Sequence, residues 1–206
     1  MAVATANRLL TLSILFNAFV VGGVLMGFEM LGSRYLFPYF GGGIDTWASL
    51  ISTVLCALAI GYFVGGAVVG RYPSSRIIAG AILLAAIYLA LVPATADAVM
   101  SQILNSMGDG PAAILLAASA LLLIPLSLLG TFSPAAVRLL TRSAEESGGV
   151  AGLVYGISTI GNVAGTLLTT FALIPTIGSR SITYLYAVAL AVCAGILFLP
   201  IGKKLS

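Results

Sequence analysis

The chain has 206 residues, 60% of them hydrophobic and only 15 charged (nine Lys+Arg and six Asp+Glu), with a mean hydropathy of +1.16. A soluble domain is charged at about 25% of its positions, so a water-soluble globule is excluded and the bilayer is the solvent that suits this composition. With no His and two Cys, the chain alone has no imidazole metal site and no Ser-His-Asp or Cys-His nucleophile, and a net charge of +3 is too diffuse to argue for nucleic acid.

Charge-free runs predict six membrane-spanning helices at residues 9–30, 47–70, 77–96, 111–137, 149–175 and 181–201, in a single all-α integral-membrane domain over 1–206. The first run is longer than a signal-peptide core and no clear small-x-small cleavage site follows it, so it reads as a transmembrane helix. It carries Asn17 and ends on Glu29, with Gly22 and Met26 on the same face. A carboxyl there is costly unless paired, protonated or wetted, which makes Glu29 the leading candidate for a proton or cation site. Arg34 is its obvious partner. Five helical residues put the two about 140° apart, however, so an intrahelical pair requires a break near Gly32. Tyr35, Tyr39 and Trp47 read as interfacial aromatic anchors.

The second span holds a short polar stripe, Ser49, Thr53 and Cys56. After the third, residues 97–109 mix Val99, Met100, Ile103 and Leu104 with Gln102 and Asn105, the pattern of a separate interfacial amphipathic helix. The fourth has room for a kink at Pro125. Beyond it, Ser133-Pro134 opens a helix with Arg138 and Arg142 four apart, expected at the headgroup surface. The fifth span places Tyr155, Thr159, Asn162, Thr166 and Thr169 at alternating steps of four and three, on one helical face. Such a stripe faces protein or a water-filled cavity, or else supplies interhelical hydrogen bonds. Cys193, in the sixth span, reads as a packed hydrophobe.

Six crossings put both termini on one side. Arg8, Arg71, Arg76, Arg138, Arg142, Lys203 and Lys204 fall on that side, against Arg34 and Arg180 on the other, so both termini are expected in the cytoplasm of a cell (inner) membrane. Two self-matches suggest a repeat: Ile51-Ser52-Thr53 recurs as Ile157-Ser158-Thr159, and Arg34-Tyr35-Leu36 aligns with Arg138-Leu139-Leu140. Because three helices is an odd number, a repeat of helices one to three in four to six is inverted, as in many secondary transporters. Glycine pairs four apart, such as Gly23/Gly27, Gly61/Gly65, Gly66/Gly70, Gly152/Gly156 and Gly161/Gly165, predict close helix packing.

The ordered run Glu29-Met30, Ser33-Arg34, Leu36, Pro38, Phe40-Gly41, Trp47, Ile51, Gly61-Tyr62 and Gly65-Gly66 carries a resemblance. So does the later run Ser133-Pro134, Val137-Arg138-Leu139, Gly152, Tyr155, Ser158-Thr159, Gly161, Gly165-Thr166, Leu173-Ile174-Pro175 and Gly178. Over roughly residues 15–180 the chain resembles the integral-membrane domain of spermidine synthase-like membrane proteins, a major-facilitator-like half fused to a soluble synthase domain. No nucleotide-binding glycine loop or catalytic carboxylate set is present in this sequence, so the synthase activity is not carried over. The resemblance implies a six-helix module like half of a major facilitator transporter, for which a homodimer with a cavity between protomers is expected.

Two functions follow. One is a small-solute transporter, for a polyamine or another cation, with Glu29, Arg34, Asn17, Tyr62, Tyr155, Thr159, Asn162 and Thr166 as candidate substrate-binding residues. The other is a non-catalytic membrane subunit that anchors or feeds a separate soluble synthase-like partner. Neither requires a catalytic residue, a metal or a cofactor.

Overall fold

Backbone N–H and C=O groups cannot be left bare in hydrocarbon, so apolar runs of this length are driven into helix. The computed structural model describes residues 2–198, with side chains from Arg8 onward, and there is no strand among them. The helices are α1 (Ala2–Phe40), α2 (Ile44–Arg71), α3 (Ser75–Met107), α4 (Pro111–Gly130), α5 (Phe132–Leu140), α6 (Ser147–Leu168) and α7 (Ile174–Phe198), with a π-helical segment at Thr169–Leu173. Since α5 continues α4 and the π segment joins α6 to α7, five helices are long and apolar enough to cross a membrane. The last, Ser147–Phe198, has 52 residues and would be about 78 Å long if straight. That is more than twice a hydrocarbon core of about 30 Å. It is interrupted at Gly178, whose φ of 73° and ψ of 155° are not helical and which only glycine adopts without a Cβ penalty.

Three expectations are corrected. α1 runs unbroken through Gly32, so the break that a Glu29–Arg34 pair needs is absent. Residues Asp97–Met107 are not a separate interfacial helix but the end of α3, which is 33 residues long. A helix satisfies its own backbone and can run on past a charged residue without reorganising; Asp97 forms an ion pair with Arg180 of α7, both well exposed. Residues Phe132–Leu140 are not a surface helix either: Phe132, Ser133, Ala135 and Ala136 are buried, and α5 packs on α2 and α6. Lys203, Lys204 and the end of the 181–201 span lie outside the described residues.

The principal helix pairs are α1 with α6, α2 with α4, and α3 with α7, while α3 also packs on α4 and α1 on α7. Glycine makes the first two seams close enough for backbones to touch. A Cβ on Gly165 would lie 2.5 Å from the Gly23 Cα, and one on Gly61 2.8 Å from the Gly130 Cα. Around these seams the core is aliphatic, with Phe28, Leu36, Leu50, Ile82, Leu89 and Leu122 almost wholly buried.

Candidate functional site

Where α1, α2, the α4–α5 helix and α6 converge, they leave a cavity of about 30 Å³, room for roughly one water. Val21, Gly22 and Leu25 come from α1, Leu58 and Tyr62 from α2, Leu129, Gly130 and Ser133 from the α4–α5 helix, and Ser158 with Asn162 from α6. Gly22 is required there. A Cβ on it would lie 2.9 Å from Asn162 Oδ1 and 3.0 Å from Ser158 Oγ, so the missing side chain is what lets these oxygens approach α1. Asn162 Oδ1 is buried with no hydrogen-bond partner. An orphan acceptor in a polar pocket is a group left ready for a donor, because leaving it unpaired costs about 1–3 kcal/mol.

Glu29 lies just beyond this cavity. Asn17, Val21, Leu25 and Glu29 are successive steps of four on α1, and the middle two line the wall. Glu29 is two turns from Gly22, within about 20° of its direction. It is only 8% exposed, and among the described residues no cation pairs with it, the one ion pair being Asp97–Arg180. Every described arginine, Arg34 included, is exposed. Asn17, fully buried at the other end of the row, donates Nδ2 to the Ser13 carbonyl at 2.8 Å and keeps Oδ1 without a partner.

The stripe on the fifth predicted span divides. Asn162 turns toward the cavity and Thr169 is fully buried, its hydroxyl bonded to Tyr186 Oη and to the Gly165 carbonyl. Thr166 is half-buried and donates to the Asn162 carbonyl at 2.9 Å. Tyr155 and Thr159 are exposed on the outer surface of α6. Tyr62 of α2 lines the cavity and is also partly exposed. The structure therefore gathers Tyr62 and Asn162, with Glu29 one turn along α1 beyond the lining Leu25. It sets Arg34 apart and places Asn17 at the far end of the row.

Ser133 and Ser158 were missed as site residues. The signal for Ser158 lay in its self-match with Ser52, and that for Ser133 in its offset of 104 from Glu29, the offset that aligns Arg34 with Arg138. No group of three or more His, Cys, Asp or Glu able to hold a metal occurs among the described residues. No protein-family model, curated protein or solved structure matches the chain.

Proposed function

We propose that this chain is a small-solute membrane transporter module whose substrate site opens where α1, α2, α4–α5 and α6 meet, the one-water cavity being that site in its closed form, with Glu29 as the coupling site. The observation that carries this reading is the orphan Asn162 Oδ1 on the wall of a polar cavity inside an otherwise aliphatic bundle, with an unpaired carboxyl two turns along α1 from Gly22, where that oxygen sits. In a bilayer such groups are expensive to keep, and their usual reason is a solute or ion pathway.

An inverted three-plus-three repeat belongs to the proposal, and the seams support it. Adding 104 to Gly23, Gly27, Gly61 and Gly65 gives Ser127, Thr131, Gly165 and Thr169. Gly23 meets Gly165 and Gly27 meets Thr169; correspondingly, Ser127 meets Gly61 and Thr131 meets Gly65. Exchange of the halves thus maps one close contact onto the other. The pairs α1–α6 and α2–α4 exchange in the same way, as do α3–α4 and α1–α7. The cavity then lies at the pseudo-twofold, where inverted-repeat transporters hold their solutes. A homodimer is supported by Tyr155 and Thr159, whose hydroxyl-bearing side chains are exposed on a face that also carries Gly152 and Gly156, each with open space at its Cβ position.

Flux of radiolabelled amines and of uncharged solutes into proteoliposomes tests the function. Saturable uptake is expected, reduced at least tenfold by Glu29→Gln and by Asn162→Leu with both variants folded. Uptake that neither substitution changes would overturn the reading.

A further inference from the structure

A second cavity, about 400 Å³, is a groove between α3 and α4, separate from the polar cavity. Its walls are apolar: Leu91, Val92, Val99 and Met100 from α3, with Leu121 and Ile124 from α4. Each helix carries a proline beside the groove, Pro93 next to Val92 and Pro125 next to Ile124. A proline ring pushes on the carbonyl one turn before it and removes one helix hydrogen bond, so both walls carry a position that disfavours a straight, close-packed helix.

The polar groups of the groove have partners already. The Tyr88 hydroxyl donates to the Ala120 carbonyl, and Thr95 Oγ1 donates to the Leu91 carbonyl at 3.0 Å. A polar solute would find nothing to bind. The lined stretch of α3, from Tyr88 to Met100, rises about 18 Å, close to the roughly 15 Å that one leaflet contributes to the hydrocarbon core. Spread over that length, 400 Å³ gives a mean section of about 22 Å², so a helix about 10 Å across cannot sink into the groove, whereas a single hydrocarbon chain can.

Towards the α3–α4 turn the same face becomes polar. Gln102 and Ser106 are exposed, with Gln102 Nε2 donating to Ser106 Oγ at 3.3 Å and Ser106 Oγ to the Gln102 carbonyl at 2.7 Å. They follow Tyr88 by 14 and 18 residues, close to whole turns, and so continue its face. Asp97 follows by nine and lies on the opposite side of α3, so the Asp97–Arg180 pair is turned away from the groove. The sequence has no Lys or Arg between Arg76 and Arg138. The face is therefore an apolar channel of one-leaflet length that ends in uncharged hydrogen-bonding groups.

We infer that the groove between α3 and α4 binds one acyl chain of a membrane phospholipid, with that lipid's ester region at Gln102 and Ser106. Occupancy is independent of transport and of the headgroup charge.

Native mass spectrometry of the full chain tests this, after release into mild detergent from vesicles of equal phosphatidylethanolamine and phosphatidylglycerol. Wild type is expected to retain one phospholipid of either headgroup in similar proportion. Ala120→Phe and Thr95→Phe, which fill the groove from its two sides, are expected to lower the lipid-bound fraction at least fivefold. Val188→Phe, on the lipid-facing surface of α7, is expected to leave it unchanged. A thermal melt of each variant confirms folding, and two groove variants guard against the loss of one. Equal retention in all four proteins, no retained lipid in wild type, or retention of only one headgroup class would each overturn the inference.

Discussion

Asn162 is the residue at which stability and the proposed activity are expected to part. Its Oδ1 is buried without a partner, so replacing the amide by an apolar group of similar size removes a desolvation cost. Asn162→Leu is expected to leave the melting temperature in detergent unchanged or to raise it, by the equivalent of about 0.5–2 kcal/mol, while uptake is lost. A melting temperature that falls together with uptake would make Asn162 a structural residue instead. Asn17→Leu is the comparison, since Asn17 also has an orphan oxygen but lies one turn beyond the lining residue Val21; it is expected to keep most of the uptake. The sequence period placed Asn162 on a polar face. It did not tell which part of that face turns inward, because the rotation of α6 is set by the contacts of Gly161 and Gly165 with α1. The place of Arg34 was not legible for a related reason: whether it could reach Glu29 depended on a break that Gly32 permits but does not require.

Whether a glycine in these helices stabilises or weakens the fold depends on what lies opposite. At Gly161 a Cβ would fall 3.0 Å from the Phe19 Cα, with the Phe19 carbonyl nearer still, and at Gly65 it would fall 2.7 Å from the Thr131 Cα. Gly161→Ala and Gly65→Ala are therefore expected to destabilise by about 1–3 kcal/mol through overpacking. Gly66 and Gly70, on the open side of α2, have nothing within 4 Å. There, alanine is expected to be neutral or to stabilise by up to about 1 kcal/mol from helix propensity. Thermal unfolding of the four variants in one detergent checks both signs. The spacing of four announced all of these pairs alike, so the distinction between seam and open face was not legible in it. The ends of elements were less legible: the charge at Asp97 ends an uncharged run in the sequence, but helix continues past it because a satisfied backbone has no reason to stop there.

On the scale of the whole molecule, the two surfaces of the bundle differ in chemistry. α3 and α7 present Leu84, Ile87, Leu91, Val188 and Val192 outward, a surface suited to lipid. α2 and α6 present glycines and the hydroxyls of Tyr155 and Thr159 beside their aliphatic side chains. If the second surface joins two copies, light scattering in detergent is expected to give twice the chain mass, and Gly152→Leu with Gly156→Leu to give the monomer. A monomer in wild type would remove the dimer from the proposal without touching the cavity. The membrane class and the helical fold could be read from composition because they depend on sums over many residues. The cavity could not, because it depends on how four separate helices meet.

The unpaired buried side-chain atoms have a consequence for selectivity. Asn17 Oδ1, Thr53 Oγ1, Asn162 Oδ1 and Thr170 Oγ1 are all oxygens, and every described arginine lies at the surface. With lone pairs and a carboxyl inside and the positive charges outside, the interior offers an anion nothing to neutralise it and offers a hydrogen-bond donor several acceptors. On the proposed transporter reading, uptake is therefore expected to favour an amine over acetate or phosphate of similar size.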